Sequence, residues 1–559
     1  MSGRGADLTP PSGLGSGVLR AGPVRTQRPV YVDLLPPCNA GCPAGENIQS
    51  WLQAARGGDL RTAWERLTAD NPFPAIHGRV CYHPCESVCN RAQMDGAVSI
   101  HAVERLLGDT AIEQRWAFAS PAPASGQRVL VVGAGPCGLS AAYHLTRLGH
   151  EVTVRDSGGE PGGMMRYGIP AYRLPRDVID AEVARLIDFG VRFEQNHTVS
   201  DLGAELQDGF SAAFVAVGAH LSKRVDIPNG DAGRVLDAVS FLRSVEEGGR
   251  TDVQGRVAVY GGGNTAMDAA RVARRLGAQD TIIVYRRTRE QMPAHADEAA
   301  DAEAEGIRIN WLRTIADMGE HELTVEVQEL DANGSPHGTG RFETLEADTV
   351  ILALGQESDT VFLANLPGIA FDGDIVQVDP ATLMTGMPGV FAGGDAVPSE
   401  RTVTVGVGHG KKAARSIDAY LRGTRPDVAA KHPRADLDTL HLWYFGDHEQ
   451  RRQAQRDPVR RAHDFTEVVA GLSAQEARYE AGRCLSCGNC FECDGCLGSC
   501  PEDAVIKLGV GHRYRFDYAR CTGCGTCARQ CPVAAIDLIG EREPLPGNAF
   551  VAPDWEGRS

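Results

Sequence analysis

The stretch RVLVVGAGPCGLSAAYHLTRLG, residues 128–149, decides the fold class of this chain. Its apolar run predicts a buried strand, its glycines predict a tight turn, and the apolar spacing that follows is typical of a helix. Gly133 permits the turn, Gly135 lets a pyrophosphate approach the backbone, and Gly138 lets the helix pack closely on the strand. The free N–H groups at the start of such a helix favour negative charge. The stretch therefore predicts a dinucleotide-binding α/β domain.

Two later segments extend this first site. The strand EVTVRD ends at Asp156, where dinucleotide-binding folds carry an acid that accepts hydrogen bonds from ribose hydroxyls. The segment GVFAGGDAV, residues 389–397, places Gly394 and Asp395 after a short apolar strand. That pattern resembles the second flavin signature of two-domain flavoproteins, in which the acid contacts the ribityl chain. Taken alone it also fits a turn that ends a strand, but together the segments predict an FAD site.

A second copy of the same pattern occurs at residues 256–277, RVAVYGGGNTAMDAARVARRLG. The strand after it ends in Arg286 and Arg287, where an NAD-specific fold usually carries an acid. Arginine offers forked donors to a 2′-phosphate, which favours NADP(H) over NAD(H), although these side chains could instead stack on adenine or face solvent. The residues predicted to bind this nicotinamide dinucleotide are Gly261, Gly263, Asn264, Ala266, Arg286 and Arg287.

Two nested dinucleotide sites predict hydride transfer between a nicotinamide and a flavin. Disulfide reduction would also need a pair of cysteines near the flavin. Only Cys137 lies there, so we interpret it as a small residue that starts a helix. The sequence has no recognisable serine–histidine–aspartate arrangement and no pair of carboxylates at a familiar spacing. It therefore predicts a cofactor-dependent oxidoreductase with no catalytic side chains of its own.

Composition narrows the class of protein. The chain has 559 residues, which suggests about three to five compact units, and its 42% hydrophobic and 23% charged residues are ordinary for globular proteins. The formal net charge of −17 argues against nucleic-acid binding. No apolar run approaches the roughly 18 residues of a membrane-spanning helix, and the first residues do not resemble a secretory signal. We therefore expect a cytoplasmic protein.

The spacing of the cysteines is the strongest evidence in the sequence for a metal site. Sixteen cysteines form two groups towards the ends of the chain, with Cys137 apart from both. Residues 490–501 and 521–532 each have the spacing C-x2-C-x2-C-x3-C-P, in which the fourth cysteine of each run binds the cluster of the other run. Zinc, the alternative metal, usually takes separated pairs. The predicted [4Fe-4S] ligand sets are Cys490, Cys493, Cys496 and Cys531, and Cys521, Cys524, Cys527 and Cys500.

Four further motifs carry a family resemblance: CPAGENIQSW (42–51), NPFPAIHGRVCYHPCESVC (71–89), GGMMRYGIPAYRLP (162–175) and VYRRTREQMPA (284–294). In this order they resemble the small subunit of glutamate synthase and the matching half of dihydropyrimidine dehydrogenase, over about residues 31–425. The resemblance implies an N-terminal domain with two [4Fe-4S] clusters. It also implies an electron-transfer role, because relatives with an appended two-cluster ferredoxin domain serve as electron-transfer subunits, some of them for 2-oxoacid:acceptor oxidoreductases.

The chain departs from the family pattern at its first cluster. Family members begin with an RC-x-x-CG pair, which is missing before Cys38 but occurs at Cys484 and Cys487. The family pattern also points to an oxygen ligand beyond Cys89, where Glu104 stands. The ligand sets that the resemblance implies are Cys38, Cys89, Cys484 and Cys487, and Cys42, Cys81, Cys85 and Glu104.

Some of these residues have simpler alternatives. Cys484 and Cys487 could be free thiols, with the first cluster missing, and Glu104 could be an ordinary carboxylate on a helix surface. His83 lies between cluster cysteines, and we interpret it as a hydrogen-bond donor to a sulfur or a backbone group rather than a ligand.

The predicted architecture is multidomain. A helical iron–sulfur N-terminal domain precedes two nested α/β dinucleotide-binding, Rossmann-like domains, and an α+β domain like a bacterial ferredoxin follows. The predicted boundaries are a flexible leader at 1–30, the N-terminal helical domain at 31–120, the FAD-binding domain at 121–255 and 349–425, the NAD(P)-binding domain at 256–348, a helical and solvated connector at 426–483, the ferredoxin-like domain at 484–540 and a tail at 541–559.

Together these observations predict an electron-transfer subunit that moves electrons between NAD(P)(H), FAD, [4Fe-4S] clusters and a partner, in either direction. Partner candidates are a 2-oxoacid oxidoreductase, a glutamate synthase large subunit or free ferredoxin, so we expect a hetero-oligomer. One alternative is a non-catalytic iron–sulfur scaffold subunit, against which the intact glycines at both nucleotide sites argue. Another is a pyrimidine reductase, which would need a further large substrate domain.

Overall fold

The computed structural model describes residues 25–223, 227–228, 234–249, 253, 255–426, 432–509 and 511–550. These residues form a helical N-terminal part, two parallel sheets with helices around them, and a small C-terminal part. Within them, no helix combines the length and the apolar character that crossing a membrane would require.

The N-terminal part is a set of short helices whose apolar faces share one core. Its elements are the strand β1 (Gln27–Tyr31) and the helices α1 (Pro37–Gly41), α2 (Ile48–Gly57), α3 (Leu60–Thr68), α4 (Pro74–Val80), α5 (Pro84–Ser87) and α6 (Ile100–Glu113). Trp51 and Leu107 are almost fully buried in this core. α4 and α6 cross closely because the crossing residue is glycine: a Cβ on Gly108 would lie 2.1 Å from the Ala75 nitrogen.

The first parallel sheet follows from the stretch that opened the sequence analysis. Its strands are β2 (Arg128–Val132), β3 (Glu151–Arg155), β4 (Arg192–Glu194), β5 (Ala212–Val215) and β18 (Val390–Ala392), in the order β18-β5-β2-β3-β4. The helices that accompany it are α7 (Pro136–Arg147), α8 (Met164–Tyr167), α9 (Arg176–Phe189) and α10 (Leu202–Gln207). β2 pairs with β3 on one side and β5 on the other, which makes the end of β2 the crevice where such sheets bind dinucleotides.

The second parallel sheet has the same layout. Its strands are β7 (Arg234–Asp237), β8 (Arg256–Tyr260), β9 (Asp280–Tyr285), β10 (Arg308–Trp311) and β14 (Thr349–Leu352), in the order β10-β9-β8-β14-β7. Its helices are α11 (Ala238–Glu246), α12 (Asn264–Arg275) and α13 (Ala296–Ala304). β8 lies between β9 and β14, so the crevice again lies at the end of the strand before the glycine turn.

Shorter strands complete these two parts. An antiparallel sheet of β11 (Arg313–Met318), β12 (Glu322–Leu330) and β13 (Pro336–Glu346) follows β10. β6 (Leu221–Ser222) pairs with β15 (Gln356–Glu357), and β16 (Phe371–Asp372) pairs with β17 (Ile375–Val376). Short 3₁₀ helices lie at Asn90–Gln93, Arg289–Gln291, Val361–Leu363, Gly394–Ala396, Leu437–Thr439 and Leu442–Tyr444.

The predicted edges of the nested domains are wrong at two strands. Boundaries at residues 256 and 348 assign β7 and β14 to the FAD-binding domain. In the structure β14 pairs with both β7 and β8, and all three belong to the second sheet. A glycine motif marks the first strand of a nucleotide fold, whereas an edge strand joins its sheet through long-range pairing that local sequence does not show.

The predicted helical connector is also mostly wrong. Within residues 432–483 the structure has two α-helices, the four-residue α15 (Pro458–Arg461) and the longer α16 (Ala474–Arg483), besides two three-residue 3₁₀ helices. Nor is its charge run simply a solvated face, because the Arg461 side chain is only 1% exposed and pairs with Asp301 and Glu305. The sequence predicts a solvated run because the acidic partners of Arg461, which are Asp301 and Glu305, lie far away in the chain.

The C-terminal part contains α17 (Gly495–Gly498), α18 (Thr526–Arg529), β19 (Val505–Lys507), β20 (Tyr514–Phe516) and β21 (Ile536–Gly540). β19 pairs with β20, and β21 pairs with β1 in antiparallel register from Gln27 opposite Gly540 to Tyr31 opposite Ile536. The prediction of a flexible leader through residue 30 is therefore wrong at its end, since residues 27–30 lie in β1. Residues 1–24 lie outside the described part of the chain.

Candidate functional site

The loop after β2 has the geometry that its glycines predict. Gly133 has a φ of +108°, and a Cβ there would lie 2.4 Å from the Ala216 oxygen. A Cβ on Gly138 would lie 1.9 Å from the Gly133 oxygen, so this position has room for hydrogen alone. A Cβ on Gly135 would meet open space, which is the room that a phosphate group needs at the start of α7.

Asp156 lies at the end of β3 and closes this loop. Its carboxylate accepts hydrogen bonds from the Ala134 nitrogen at 2.6 Å and from the Gly158 nitrogen at 2.6 Å. A carboxylate oxygen has further lone pairs for a ribose hydroxyl, so the position also fits the predicted role.

The turn that contains Asp395 packs against the start of α7. A Cβ on Gly394 would lie 3.1 Å from the Cys137 Cβ, and Gly394 donates its N–H to His409 Nδ1 at 3.2 Å. Burial raises the pKa of Asp395 to about 6, with Arg401 opposing that effect. The structure thus brings both predicted FAD segments to one end of the first sheet. Cys137 is buried among them as a small packing residue.

The helix α14 (Val403–Leu421) follows that turn and contacts the N-terminal part. A Cβ on Gly408 would lie 2.1 Å from the Pro43 oxygen, so the helix and the loop beside Cys42 touch through their backbones. Lys411 donates to the Gly45 oxygen at 2.7 Å and pairs with Asp70 at 2.6 Å. One helix therefore links the predicted flavin turn to a predicted cluster loop.

The loop after β8 repeats the first site. A Cβ on Gly261 would lie 2.2 Å from the Ala353 oxygen, whereas a Cβ on Gly263 would meet open space. Ala266 is fully buried, and Asn264 Oδ1 accepts the His295 N–H at 2.8 Å. Asn264 therefore holds the loop around the second site.

The two arginines that follow β9 differ in exposure. Arg286 is exposed, and Arg287 is partly buried. Among the described residues, Arg287 Nε is buried without a hydrogen-bond partner. A buried donor without a partner is costly, so this atom fits a site that a charged ligand completes.

The cysteines of the C-terminal part form two groups. One group lines a single cavity and consists of Cys500, Cys521, Cys524 and Cys527. In the other, burial raises the pKa of Cys490 to about 12, and the nearby Cys531 and Cys496 raise it too. Backbone N–H groups donate to sulfur at equivalent places, from Ala504 to Cys500 at 3.2 Å and from Ala535 to Cys531 at 3.3 Å. Such donors suit thiolate ligands of iron.

Cysteines from the two ends of the chain meet in a second cavity. It is lined by Cys38, Cys89, Cys484 and Cys487, together with apolar residues such as Leu52 and Ile100. Asn90 Nδ2 donates to the Cys487 sulfur at 3.3 Å and to the Ala435 oxygen at 2.8 Å. Burial raises the pKa of Cys484 to about 11. Thiols this basic bind metal as thiolates, which positive iron stabilises.

The remaining predicted ligands also lie near one another. Burial and then the Glu104 carboxylate raise the pKa of Cys81 to about 12. Burial and then Glu86 raise the pKa of Cys85, with Cys81 and Cys42 contributing. Glu104 is only 5% exposed, so the alternative of an ordinary surface carboxylate is wrong.

Several polar residues around Glu104 were missed by sequence reasoning. Asn71 Nδ2 lies 2.9 Å from each of Glu46 Oε1, Glu104 Oε1 and His77 Nδ1. Burial raises the pKa of Glu46 to about 7 and lowers that of His77 to about 3. The local sequence NPFPAIHG does not predict this contact, because two of the partners, Glu46 and Glu104, come from other segments of the chain.

His83 behaves as its sequence position predicts. Its backbone N–H donates to the Cys81 sulfur at 3.3 Å, and its ring Nε2 lies 3.1 Å from the Cys81 oxygen. The ring stacks on His101, with centroids 3.8 Å apart. These contacts agree with the interpretation of His83 as a hydrogen-bonding residue beside Cys81, and its exclusion as a metal ligand stays a prediction.

Comparison with known families agrees with this geometry. Residues 127–410 match the family described as pyridine nucleotide-disulphide oxidoreductase. The chain belongs to this family. Residues 30–116 match dihydropyrimidine dehydrogenase domain II, 4Fe-4S cluster, and residues 514–537 match a 4Fe-4S binding domain. The match over residues 514–537 favours a [4Fe-4S] cluster over zinc for the second C-terminal run.

Three curated relatives are similar in sequence to this pyridine nucleotide oxidoreductase over two thirds or more of its length. NADP(+)-dependent formate dehydrogenase subunit beta of Moorella thermoacetica is 35% identical over 499 residues, 81% of this chain and 70% of the relative. NADPH-Fe(3+) oxidoreductase subunit beta of Geobacter sulfurreducens is 31% identical over 508 residues, 81% of this chain and 75% of the relative. The small chain of glutamate synthase [NADPH] of Azospirillum brasilense is 35% identical over 424 residues, 69% of this chain and 87% of the relative.

These findings confirm the predicted resemblance to glutamate synthase small subunits and dihydropyrimidine dehydrogenase. The protein is an FAD- and NAD(P)H-dependent oxidoreductase with [4Fe-4S] clusters, and it transfers electrons among these groups. Its fold is Rossmann-like with helical and ferredoxin-like parts. These relatives are named as beta subunits or as a small chain of multisubunit enzymes.

Proposed function

We propose that the two glycine loops hold the two nucleotides in the order that the sequence predicts. FAD binds at Gly133, Gly135, Gly138, Asp156, Gly394 and Asp395, and NADP(H) binds at Gly261, Gly263, Asn264, Ala266, Arg286 and Arg287. The open space at Gly135 and Gly263 supports this assignment, since a phosphate needs a backbone without a side chain there. Exposed Arg286 and the partnerless Nε of Arg287 support NADP(H) over NAD(H).

Four [4Fe-4S] clusters account for every cysteine except Cys137. Their ligand sets are Cys38, Cys89, Cys484 and Cys487; Cys42, Cys81, Cys85 and Glu104; Cys490, Cys493, Cys496 and Cys531; and Cys500, Cys521, Cys524 and Cys527. Shared cavities, mutual pKa effects and N–H donors to sulfur support these sets. Cysteines that bind iron rather than form disulfides also support a cytoplasmic location, since disulfides form mainly in exported proteins.

The FAD held at the first glycine loop would supply hydride acceptance from nicotinamide and single-electron transfer to the iron–sulfur clusters. The observation that carries this function is the position of α14. Its first residues follow the turn with Asp395, and its middle touches the loop beside Cys42 through Gly408. The chain itself supplies rigid placement and exclusion of water, because Lys411 pins that loop and apolar residues line the cluster cavities.

The partner is an oxidoreductase subunit that exchanges electrons with the C-terminal clusters. The two relatives that match 81% of this chain carry the names of a formate dehydrogenase and an NADPH-Fe(3+) oxidoreductase beta subunit. The glutamate synthase small chain matches 69%. The first of these names supports a redox enzyme that acts on a small carboxylate, such as formate or a 2-oxoacid, as the partner class, and a glutamate synthase large subunit is the second candidate.

Anaerobic reduction by NADPH tests the function. We expect NADPH to bleach the flavin absorbance of the purified holoprotein and then to produce the signals of reduced clusters in electron paramagnetic resonance (EPR) spectra. Gly263→Ala should bind FAD and iron normally but lose bleaching by NADPH, since its methyl group fills the open space. Dithionite should still reduce both proteins. Absence of bleaching in the parent protein, with FAD bound, would instead favour the scaffold subunit.

A further inference from the structure

Thr404 connects the flavin part of the chain to a cluster cysteine. Its hydroxyl donates a hydrogen bond to the Cys81 sulfur, with Oγ1 and Sγ 3.1 Å apart and 323 residues between them in sequence. Thr404 lies in the first turn of α14, the helix that follows the turn with Asp395. Its side chain is nearly enclosed, since the residue is only 4% exposed.

The environment makes this hydrogen bond strong. The Thr404 side chain is nearly enclosed, so water competes poorly for its hydroxyl at this contact. Among the described residues, the other donor to this sulfur is the His83 backbone N–H, at 3.3 Å. A hydrogen bond to a charged acceptor is stronger where its donor is shielded from water than in bulk water.

We propose that Thr404 is a positioning residue that raises the reduction potential of the cluster bound by Cys81. Reduction adds negative charge to the cluster and its sulfurs, and a donor to sulfur stabilises that charge. The proposal rests on the ligand set Cys42, Cys81, Cys85 and Glu104 given above. It adds that the helix after the turn with Asp395 supplies one donor to this sulfur, beside the donor that the cluster domain supplies through His83.

The chain offers a parallel contact for comparison. Tyr31 lies within hydrogen-bond distance of the Cys496 sulfur, 3.2 Å, in the C-terminal part. Thr404→Val and Tyr31→Phe each remove one hydroxyl and keep most of the side-chain shape. If these hydroxyl groups set the reduction potentials of the clusters, each variant should shift the potential of one cluster. The two variants should shift different clusters.

The test is a potentiometric titration of the full-length holoprotein, with dithionite and mediators, followed by EPR. We expect T404V to move one cluster transition to a more negative potential and to leave the others in place. T404S should restore the parent potential, because serine keeps the hydroxyl. Y31F should move a different transition, and the double variant should show both shifts.

Two results would overturn the proposal. One is T404V with full iron content and no transition moved. The other is T404S behaving like T404V, because shape rather than the hydroxyl would then be responsible. If T404V loses iron, pulsed EPR on the parent protein replaces the titration. Loss of one exchangeable-proton coupling in T404A, with the coupling of the His83 N–H retained, supports the contact, and an unchanged set of couplings in T404A refutes it.

The titration uses no nicotinamide, so its outcome is independent of the NADPH bleaching test. An iron count near eight per chain, rather than about sixteen, would show that the N-terminal clusters are missing. That result would refute the proposed ligand sets before any potential is measured.

Discussion

The Tyr31 hydroxyl lies 3.2 Å from the Cys496 sulfur, although 465 residues separate the two in sequence. Tyr31 ends β1, which pairs with β21, so the first described strand belongs to the same sheet as the last. Its ring stacks on Phe516 with centroids 4.8 Å apart. The N-terminal strand thus builds part of the core around a predicted C-terminal cluster.

Replacing Tyr31 should separate the hydrogen bond from the packing. Tyr31→Phe removes only the hydroxyl and should lower the free energy of unfolding of the C-terminal part by about 1 kcal/mol. Tyr31→Ala also removes a ring that is almost fully buried and should cost about 3–5 kcal/mol. Bleaching of cluster absorbance in increasing guanidinium measures both, and equal midpoints for the two variants would contradict the packing role.

Cysteines from opposite ends should act as one ligand set. Cys38→Ser and Cys484→Ser should each lower the iron content from about sixteen to about twelve per chain. The double variant should also contain about twelve, because both changes remove the same cluster. Cys137→Ser, the matched control, should keep the full count. A double variant with about eight iron atoms would mean that the two residues serve different clusters.

Arg286 should govern the choice of nicotinamide. Arg286→Ala should raise the KM for NADPH about 10- to 100-fold, since a hydrogen bond to a charged group contributes about 1.5–3 kcal/mol. The KM for NADH should stay within about twofold, because NADH lacks the 2′-phosphate. Arg289→Ala is the control, since Arg289 is 54% exposed and pairs with Glu303. Equal losses with both nucleotides would assign Arg286 to adenine stacking instead.

Glu305 should be more important to stability than any one of its arginines. It pairs with Arg275 at 2.6 Å, Arg271 at 2.8 Å and Arg461 at 2.9 Å. Glu305→Gln leaves three nearly buried guanidinium groups without this carboxylate and should lower the free energy of unfolding by about 3–5 kcal/mol. Arg461→Gln leaves Glu305 with two partners and should cost less. Thermal unfolding of both variants measures the difference, and the reverse order would refute it.

The same carboxylate should make stability depend on pH. Burial alone would raise the pKa of Glu305, but Arg275 and Arg271 hold it below its usual value. Its contribution is therefore fully present above the unfolded-state pKa of about 4.3 and is lost as pH falls through the lower folded-state pKa. The free energy of unfolding of Glu305→Gln should consequently decline less in acid than that of the parent protein. Parallel acid declines for both would contradict this expectation.

Local chemistry explains what could be predicted from sequence. The loop around Gly133 depends on a strand, a turn and a helix that are adjacent in the chain. The glycines alone therefore indicate where the loop has no room for a side chain. The cysteine runs from Cys490 to Cys531 are equally local. These features identify two nucleotide folds and a ferredoxin-like part before any long-range contact is known.

The features that the sequence does not predict depend on contacts between distant parts of the chain. The sequence predicts a flexible leader through residue 30 because nothing in residues 27–31 themselves indicates their pairing with β21. The sequence predicts that Arg461 faces solvent, because its acidic partners lie about 160 residues away in the chain. Asn71 and Thr404 carry no motif, because each acts through a partner brought close only by the folded chain.

The pairing of β1 with β21 has a consequence for how the polypeptide is made. A ribosome releases residues 27–31 long before residues 536–540, so β1 must wait for its partner strand until those late residues are made. Cys38 waits in the same way for Cys484, its partner in the proposed ligand set. A nascent chain that stops before these residues lacks both β21 and half of that ligand set, so maturation of this metal centre reports that translation has passed Cys487.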